Sequence, residues 1–294
     1  MAEQKELSYI DPHQHLKDWV LGRVEIWEEH RNSNYQKKWD EYYRLWRGTW
    51  DEEDKTRKSE KSRLISPATQ QAIEATVSEL EEATFGRERW FDIEDDVLDT
   101  QPQDVEYVRK LLHEDLEKDG AKSAIAECLL NGAIYGTGIG KVLVTEKIEI
   151  VPSERPVSGT LTTTVETEEV PYISIKVEPV SPKEFVIDPT ATNVNEALGV
   201  AQVVTKPRYL INKGIKEGIY MDKPIGSFDK ADFGFDDEIS HMANADDKVK
   251  IIEYWGLVPK KFLSTASKDI HEFDYEDDEL VEAVVTIAND SAVL

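Results

Sequence analysis

His13 and His15, in the run Asp11-Pro12-His13-Gln14-His15, have a type and spacing that could do metal chemistry. Two imidazoles at alternating positions of a strand can share one hydrolytic metal, provided further His and Asp ligands arrive from later strand ends. Only Leu7, Tyr9 and Ile10 precede the pair, and His30, His113, His241 and His271 fall in helical or acidic contexts. A surface turn opening the first helix is the preferred reading. Gly136-Thr137-Gly138-Ile139-Gly140-Lys141 invites a phosphate-binding reading. A dinucleotide loop runs from strand to helix with a third glycine, and a P-loop places Ser or Thr after Gly-Lys. Here a helical pattern precedes, a strand pattern follows and Val142 comes after Lys141, so the glycines read as a tight helix-to-strand turn.

The acidic run Asp274 to Glu279 lacks the glycine and spacing of a calcium loop and reads as solvated. Lys55, Arg57, Lys58, Lys61 and Arg63, opposed only by Glu60, form the positive patch of the chain. They read first as a solvated linker and second as contacts to phosphate or to an acidic partner. Cys128 is the single cysteine, which excludes an intrachain disulfide and a multi-cysteine zinc site. No nucleophile elbow, Ser-His-Asp arrangement or apolar carboxylate pair stands out. The expectation is therefore a protein with no catalytic residues, no metal and no cofactor.

The elements that would position these residues are helical as far as about residue 140. Leu16, Trp19, Val20, Val24 and Trp27 recur at three- and four-residue steps, and Tyr35, Trp39, Tyr42, Tyr43 and Trp46 continue the pattern to a stop at Gly48. Ser66 and Pro67 suit the N-cap and first position of a helix with Ile73, Val77, Leu80 and Thr84 on one face, ending at Gly86. Asp104 opens a third helix that closes on Gly120. A fourth, the most apolar and so placed centrally, runs from Ala121 to about Tyr135.

After Gly140 the period changes to alternation in β-branched residues broken by prolines, which predicts short antiparallel strands. Residues 153–169 read as a hairpin inserted between two core strands, Tyr209 to Tyr220 as a short helix, and 221–247 as a long acidic loop. Two strands, Val249 to Pro259 and Leu280 to Ala288, follow. The fold class is thus α+β, a helical N-terminal half and an antiparallel β-rich half. Its expected parts are an N-terminal helical arm over 1–34, a helical part over 35–140 and a β-rich part over 141–294.

Composition limits the partners. With 294 residues, one large domain or two smaller ones are both open. The formal net charge of −25 removes the counterion-release affinity on which sequence-independent nucleic-acid binders depend. Charged residues make up 32% of the chain, yet seven Trp, eleven Tyr and eight Phe supply large apolar bodies. Aromatics on a charged background suit an assembly surface, with Trp39, Tyr43, Trp46, Trp50 and Trp90 as subunit-interface candidates, Trp46 and Trp50 nearest a neighbour. The lone cysteine suits synthesis in a reducing cytoplasm. Because the N-terminus lacks the apolar core of a signal peptide and no window is apolar enough for a membrane span, a soluble protein not exported by a signal peptide is expected.

Taken in order, several segments resemble the N-terminal wing region of portal proteins of short-tailed phages. They are Trp39 to Gly48, Arg63-Leu64-Ile65-Ser66-Pro67, Phe85-Gly86 with Trp90-Phe91, Leu129 to Lys141 with Tyr135-Gly136-Thr137-Gly138, Val180 to Pro189, and Val249 to Val258 with Glu253-Tyr254-Trp255. The resemblance spans about residues 35 to 294. It implies a homo-oligomeric ring, a dodecamer, set in one capsid vertex of the virion and serving as a conduit for double-stranded DNA. The implied partners are the packaging motor large subunit, capsid and scaffold proteins, a tail adaptor and DNA passing non-specifically. The family's stem, clip and crown would lie beyond Leu294 and are expected to be absent from this chain. An acidic surface fits such a conduit, since like charge lets DNA slide without adhesion. The alternatives are a head-to-tail adaptor or scaffold-binding structural protein and, from another class, a metal-dependent hydrolase using His13 and His15.

Overall fold

Leu16, Val20, Val24 and Trp27 lie on one side of a 3.6-residue period, and in the computed structural model all four are buried along helix α1, Gln14–Arg31. The structure describes residues 13–50, 66–87, 90–93, 102–156, 163–223, 225, 248–263 and 279–294. A π-helical turn, Asn32–Gln36, follows α1 and leads into α2, Lys37–Arg47. Gly48 closes α2 at φ 62°, a left-handed conformation that a side chain would strain, with its N–H and that of Thr49 bonded to the carbonyls of Leu45 and Arg44. Helix α3, Ala68–Phe85, begins one residue later than the sequence predicts, with Pro67 as N-cap, and is stopped by the Gly86 N–H on Glu82 O at 2.9 Å.

Helix α4 spans Pro102–Lys118 and α5 spans Ala121–Tyr135. Gly120 at φ 74° and Gly136 at φ 81° bracket α5, which accounts for the agreement with its predicted bounds. Strands β1, Ile139–Pro156, and β2, Thr163–Val180, pair antiparallel throughout, from Ile139 opposite Val180 to Pro156 opposite Thr163. Of the segment 153–169, expected as a hairpin inserted between two core strands, residues 153–156 and 163–169 continue β1 and β2 as the outer part of one long ladder, and 157–162 lie outside the described residues.

The chain continues through β3, Phe185–Ile187, a 3₁₀ turn, Val194–Glu196, β4, Gly199–Pro207, and α6, Arg208–Lys216. It ends in β5, Lys248–Pro259, α7, Lys260–Leu263, β6, Leu280–Ala288, and β7, Ala292–Val293. The architecture is α+β with antiparallel sheets. Of the expected acidic loop 221–247, only 221–223 and 225 are among the described residues.

Two compact units divide the chain, and they cut across the expected boundaries at 34 and 140. One comprises 1–38 and 183–294, the other 39–182. In the first, hereafter the sheet unit, the strand order is β3-β4-β5-β6-β7. Strand β5 is buried on both faces. Ile252, Tyr254 and Val258 join Leu16, Val20, Val24 and Trp27 of α1, while Val249 and Ile251 join Ile211 of α6. The N-terminal helix, which ends at Arg31, thus belongs with strand β5, which begins only at Lys248, rather than forming an arm of its own, because its apolar stripe covers that face of the sheet. In the second, the hairpin unit, α5 packs on α3, α4 and both strands of the hairpin, the central place its apolar character predicts.

Candidate assembly surface

The interface candidates lie in the hairpin unit, and most are held by their own neighbours. Tyr135, at the end of α5, receives Tyr43 stacked at 6.4 Å and Trp39 edge-on at 6.3 Å. Burial pushes the Tyr135 hydroxyl above its ordinary value, and nearby Tyr43 and Asp40 add to this. Trp46 meets Tyr43 at 5.6 Å and lies under the guanidinium of Arg47 at 5.5 Å. Such aromatic and cation contacts contribute roughly 0.5–1.5 kcal/mol each. Trp90 is edge-on to both Phe85 and Phe91. Trp39, Trp46, Trp50 and Trp90 are all half-buried, while Tyr42, Tyr43 and Leu45 are the exposed large side chains of α2. The indole N–H groups of Trp46 and Trp90 are buried without an acceptor. Lys55, Arg57, Lys58, Lys61 and Arg63 lie outside the described residues.

Sequence reasoning missed the larger apolar surface of this unit. The register sets Val142 opposite Val177, Val144 opposite Ile175, Glu146 opposite Ile173 and Ile148 opposite Pro171 on one face of the hairpin. On that face Val142, Val144, Ile148, Ile150 and Ile173 are 61 to 68% exposed. On α4, Tyr107, Val108 and Leu111 form a second exposed apolar stripe. Strict alternation in β1 was legible, but it reads equally as a strand that its own chain covers. Against this, the buried apolar side chains described in the unit are Val77, Ala121, Ile134, Val180 and Pro182.

The remaining chemical candidates are placed as follows. His13 and His15 sit at the start of α1 rather than on a strand; His13 is buried and His15 stacks on Phe262 at 6.0 Å. Among the described residues no three His, Cys, Asp or Glu side chains gather as a metal-binding group. Gly138 lies so near Cys128 that a Cβ would stand 2.4 Å from its carbonyl oxygen, so the glycine turn serves close packing between α5 and β1. The Cys128 thiol donates to Ile139 O at 3.2 Å, and burial followed by Glu127 raises its pKa, which holds it in the unreactive thiol form. Of the acidic run 274–279, only Glu279 is described.

Within the sheet unit, a groove of about 1010 Å³ runs beside α1, lined by residues that include Arg31, Glu28, Lys250 and Asp290. Arg31 is buried, with Nη2 donating to Glu28 Oε1 at 3.0 Å and Nε to Asn32 Oδ1 at 3.1 Å. Burial lowers its pKa, and the Glu28 carboxylate opposes that shift. Acids and bases are mixed along this groove, so it presents no single sign of charge to a ligand.

No model of a known protein family matches the chain, and no curated protein matches it either. Among the described residues, no helix is long and apolar enough to cross a membrane.

Proposed function

We propose that the chain is a structural subunit of a homo-oligomeric portal ring at one vertex of a phage capsid. It forms a conduit through which double-stranded DNA is packaged and ejected, with no catalytic step of its own. The ring is a dodecamer whose further partners are the packaging motor, capsid and scaffold proteins and a tail adaptor. The observation that carries this reading is the hairpin unit, which among its described residues has few buried apolar side chains and leaves Val142, Val144, Ile148, Ile150, Tyr107 and Val108 exposed. Exposed apolar surface on that scale marks a site of protein contact. The net charge of −25 adds support, since an acidic wall does not hold phosphates.

Mass photometry and negative-stain imaging of the purified full chain test the proposal. Rings of about a dozen copies with an open centre are the expected result. A chain that stays monomeric at micromolar concentration overturns it, and a solid or dimeric particle favours the adaptor reading.

A further inference from the structure

We propose that the groove beside α1 takes an extended peptide strand of a partner protein, one that carries a basic side chain and adds to the open edge of β4. The inference concerns the sheet unit alone and stands apart from the ring reading. Two observations of different kinds point to a main chain as the ligand. The first is the strand edge. β3 pairs with β4 from Val200 to Gln202, and the Val203 N–H on Glu184 O at 2.8 Å continues that pairing by one bond. Outward groups of an antiparallel ladder recur at every second residue. Thr205 therefore turns its N–H and C=O to the same side as Val203, past the end of β3, with β5 on the opposite side. Val203, Val204 and Thr205 all line the groove. An uncovered edge of this kind is a template for one more strand.

The second is Arg31, which lines the same groove and is 8% exposed. Its Nη1 is buried with no acceptor, although Nη2 and Nε are bonded to Glu28 and Asn32. A buried donor left unmatched is costly, and a peptide carbonyl entering the groove supplies the missing acceptor. Asn32 and Gln36, the ends of the π-helical turn after α1, line the groove too, and such turns recur at functional sites. Charge then selects the side chain. Arg31 and Lys250 stand by Glu28 and Asp290, and Lys183 is engaged as well, which leaves Glu25 and Glu184 as groove carboxylates that no ion pair meets among the described residues. This disfavours a free anion and favours a lysine or arginine on the added strand. Leu21, Val24, Val203 and Ile252 give the groove an apolar part, which suits an apolar side chain two places along, on the same face of that strand.

The test uses the full chain and a fluorescein-labelled peptide in which Thr alternates with Val and Lys, followed by fluorescence anisotropy. Saturable binding with a Kd below about 1 mM is the expected result, together with slower amide exchange at Thr205 in the complex. Absence of saturable binding overturns the proposal. Equal binding of the same peptide with a central proline, which lacks the N–H for pairing, overturns it as well, as does tighter binding of a peptide with Glu in place of Lys. Among variants, Thr205→Pro removes the outward N–H, a change that an edge strand tolerates, and should weaken binding about tenfold. Glu25→Lys combined with Glu184→Lys should weaken it by a similar factor, and Arg31→Gln should weaken it too. Unchanged binding by Thr205→Pro would sink the assignment, whatever Arg31→Gln does to folding.

Discussion

The sheet unit buries both faces of β5 under helices drawn from its own residues, whereas the hairpin unit packs α5 and α4 on its ribbon and α3 on α5, and leaves Val142, Val144, Ile148, Ile150 and Ile173 of the ribbon exposed. Both are built from similar lengths of chain. The difference shows that apolar content alone does not decide where a core forms. The hairpin unit is rich in Val, Ile and aromatic residues, yet one face of its ribbon is exposed all the way from Val142 to Ile150. Among the described residues, the first unit thus buries its central strand on both faces, while the second leaves one face of its ribbon exposed.

Amide exchange gives the widest test of this contrast. In the unassembled chain, β5 amides should exchange at least a hundredfold more slowly than those of α4, measured by mass spectrometry; equal protection would break the comparison. Next in size, Ile252→Ala removes a fully buried side chain from the core against α1 and should cost about 2–5 kcal/mol in denaturant unfolding. Ile134→Ala, 7% exposed in the hairpin unit, should cost less, about 1–2 kcal/mol, because its surroundings are looser. Gly138→Ala forces a Cβ toward the Cys128 carbonyl and should lower stability by about 1–3 kcal/mol, read as a fall in the melting of the hairpin unit alone.

The smallest effect is expected at Asp188, which is buried in the sheet unit and accepts from the Thr190 N–H, the Thr190 hydroxyl and the Leu198 N–H. Burial alone would raise its pKa, but these hydrogen bonds and the Arg23 charge outweigh it and hold the carboxyl below its ordinary value. The stabilisation is therefore present above about pH 4 and is lost as pH falls through the lowered folded value. Asp188→Asn should cost about 1 kcal/mol at pH 7 and progressively less in acid, followed by thermal unfolding across pH.

What was legible in the sequence follows from how local each signal is. Helix α5 could be read from end to end because Gly120 and Gly136 sit at its ends in left-handed conformations. The stripe of α1 was equally plain, but nothing local says that Leu16 and Trp27 meet Tyr254 and Val258. Strand β4 escaped notice because its burial alternates only over its first three residues and its end is a proline. The aromatic candidates of α2 were visible as a cluster. That they turn toward Tyr135, while plain Val and Ile residues of β1 carry the exposed surface, depends on a pairing that no short window contains.

Gly199 and Gly256 face one another across β4 and β5, under the Tyr254 hydroxyl, which donates to Leu257 O at 3.1 Å. A Cβ on Gly256 would stand 2.5 Å from the Gly199 Cα and 2.6 Å from Leu198 O. At this crossing the backbones leave space only for hydrogen. If β5 slid by two residues, the pleat would be kept but a side chain would be driven into the notch, so the pair acts as a key admitting one alignment. Chains collapsing with the strands misaligned would be turned back at that point, before the helices could seal the error in place.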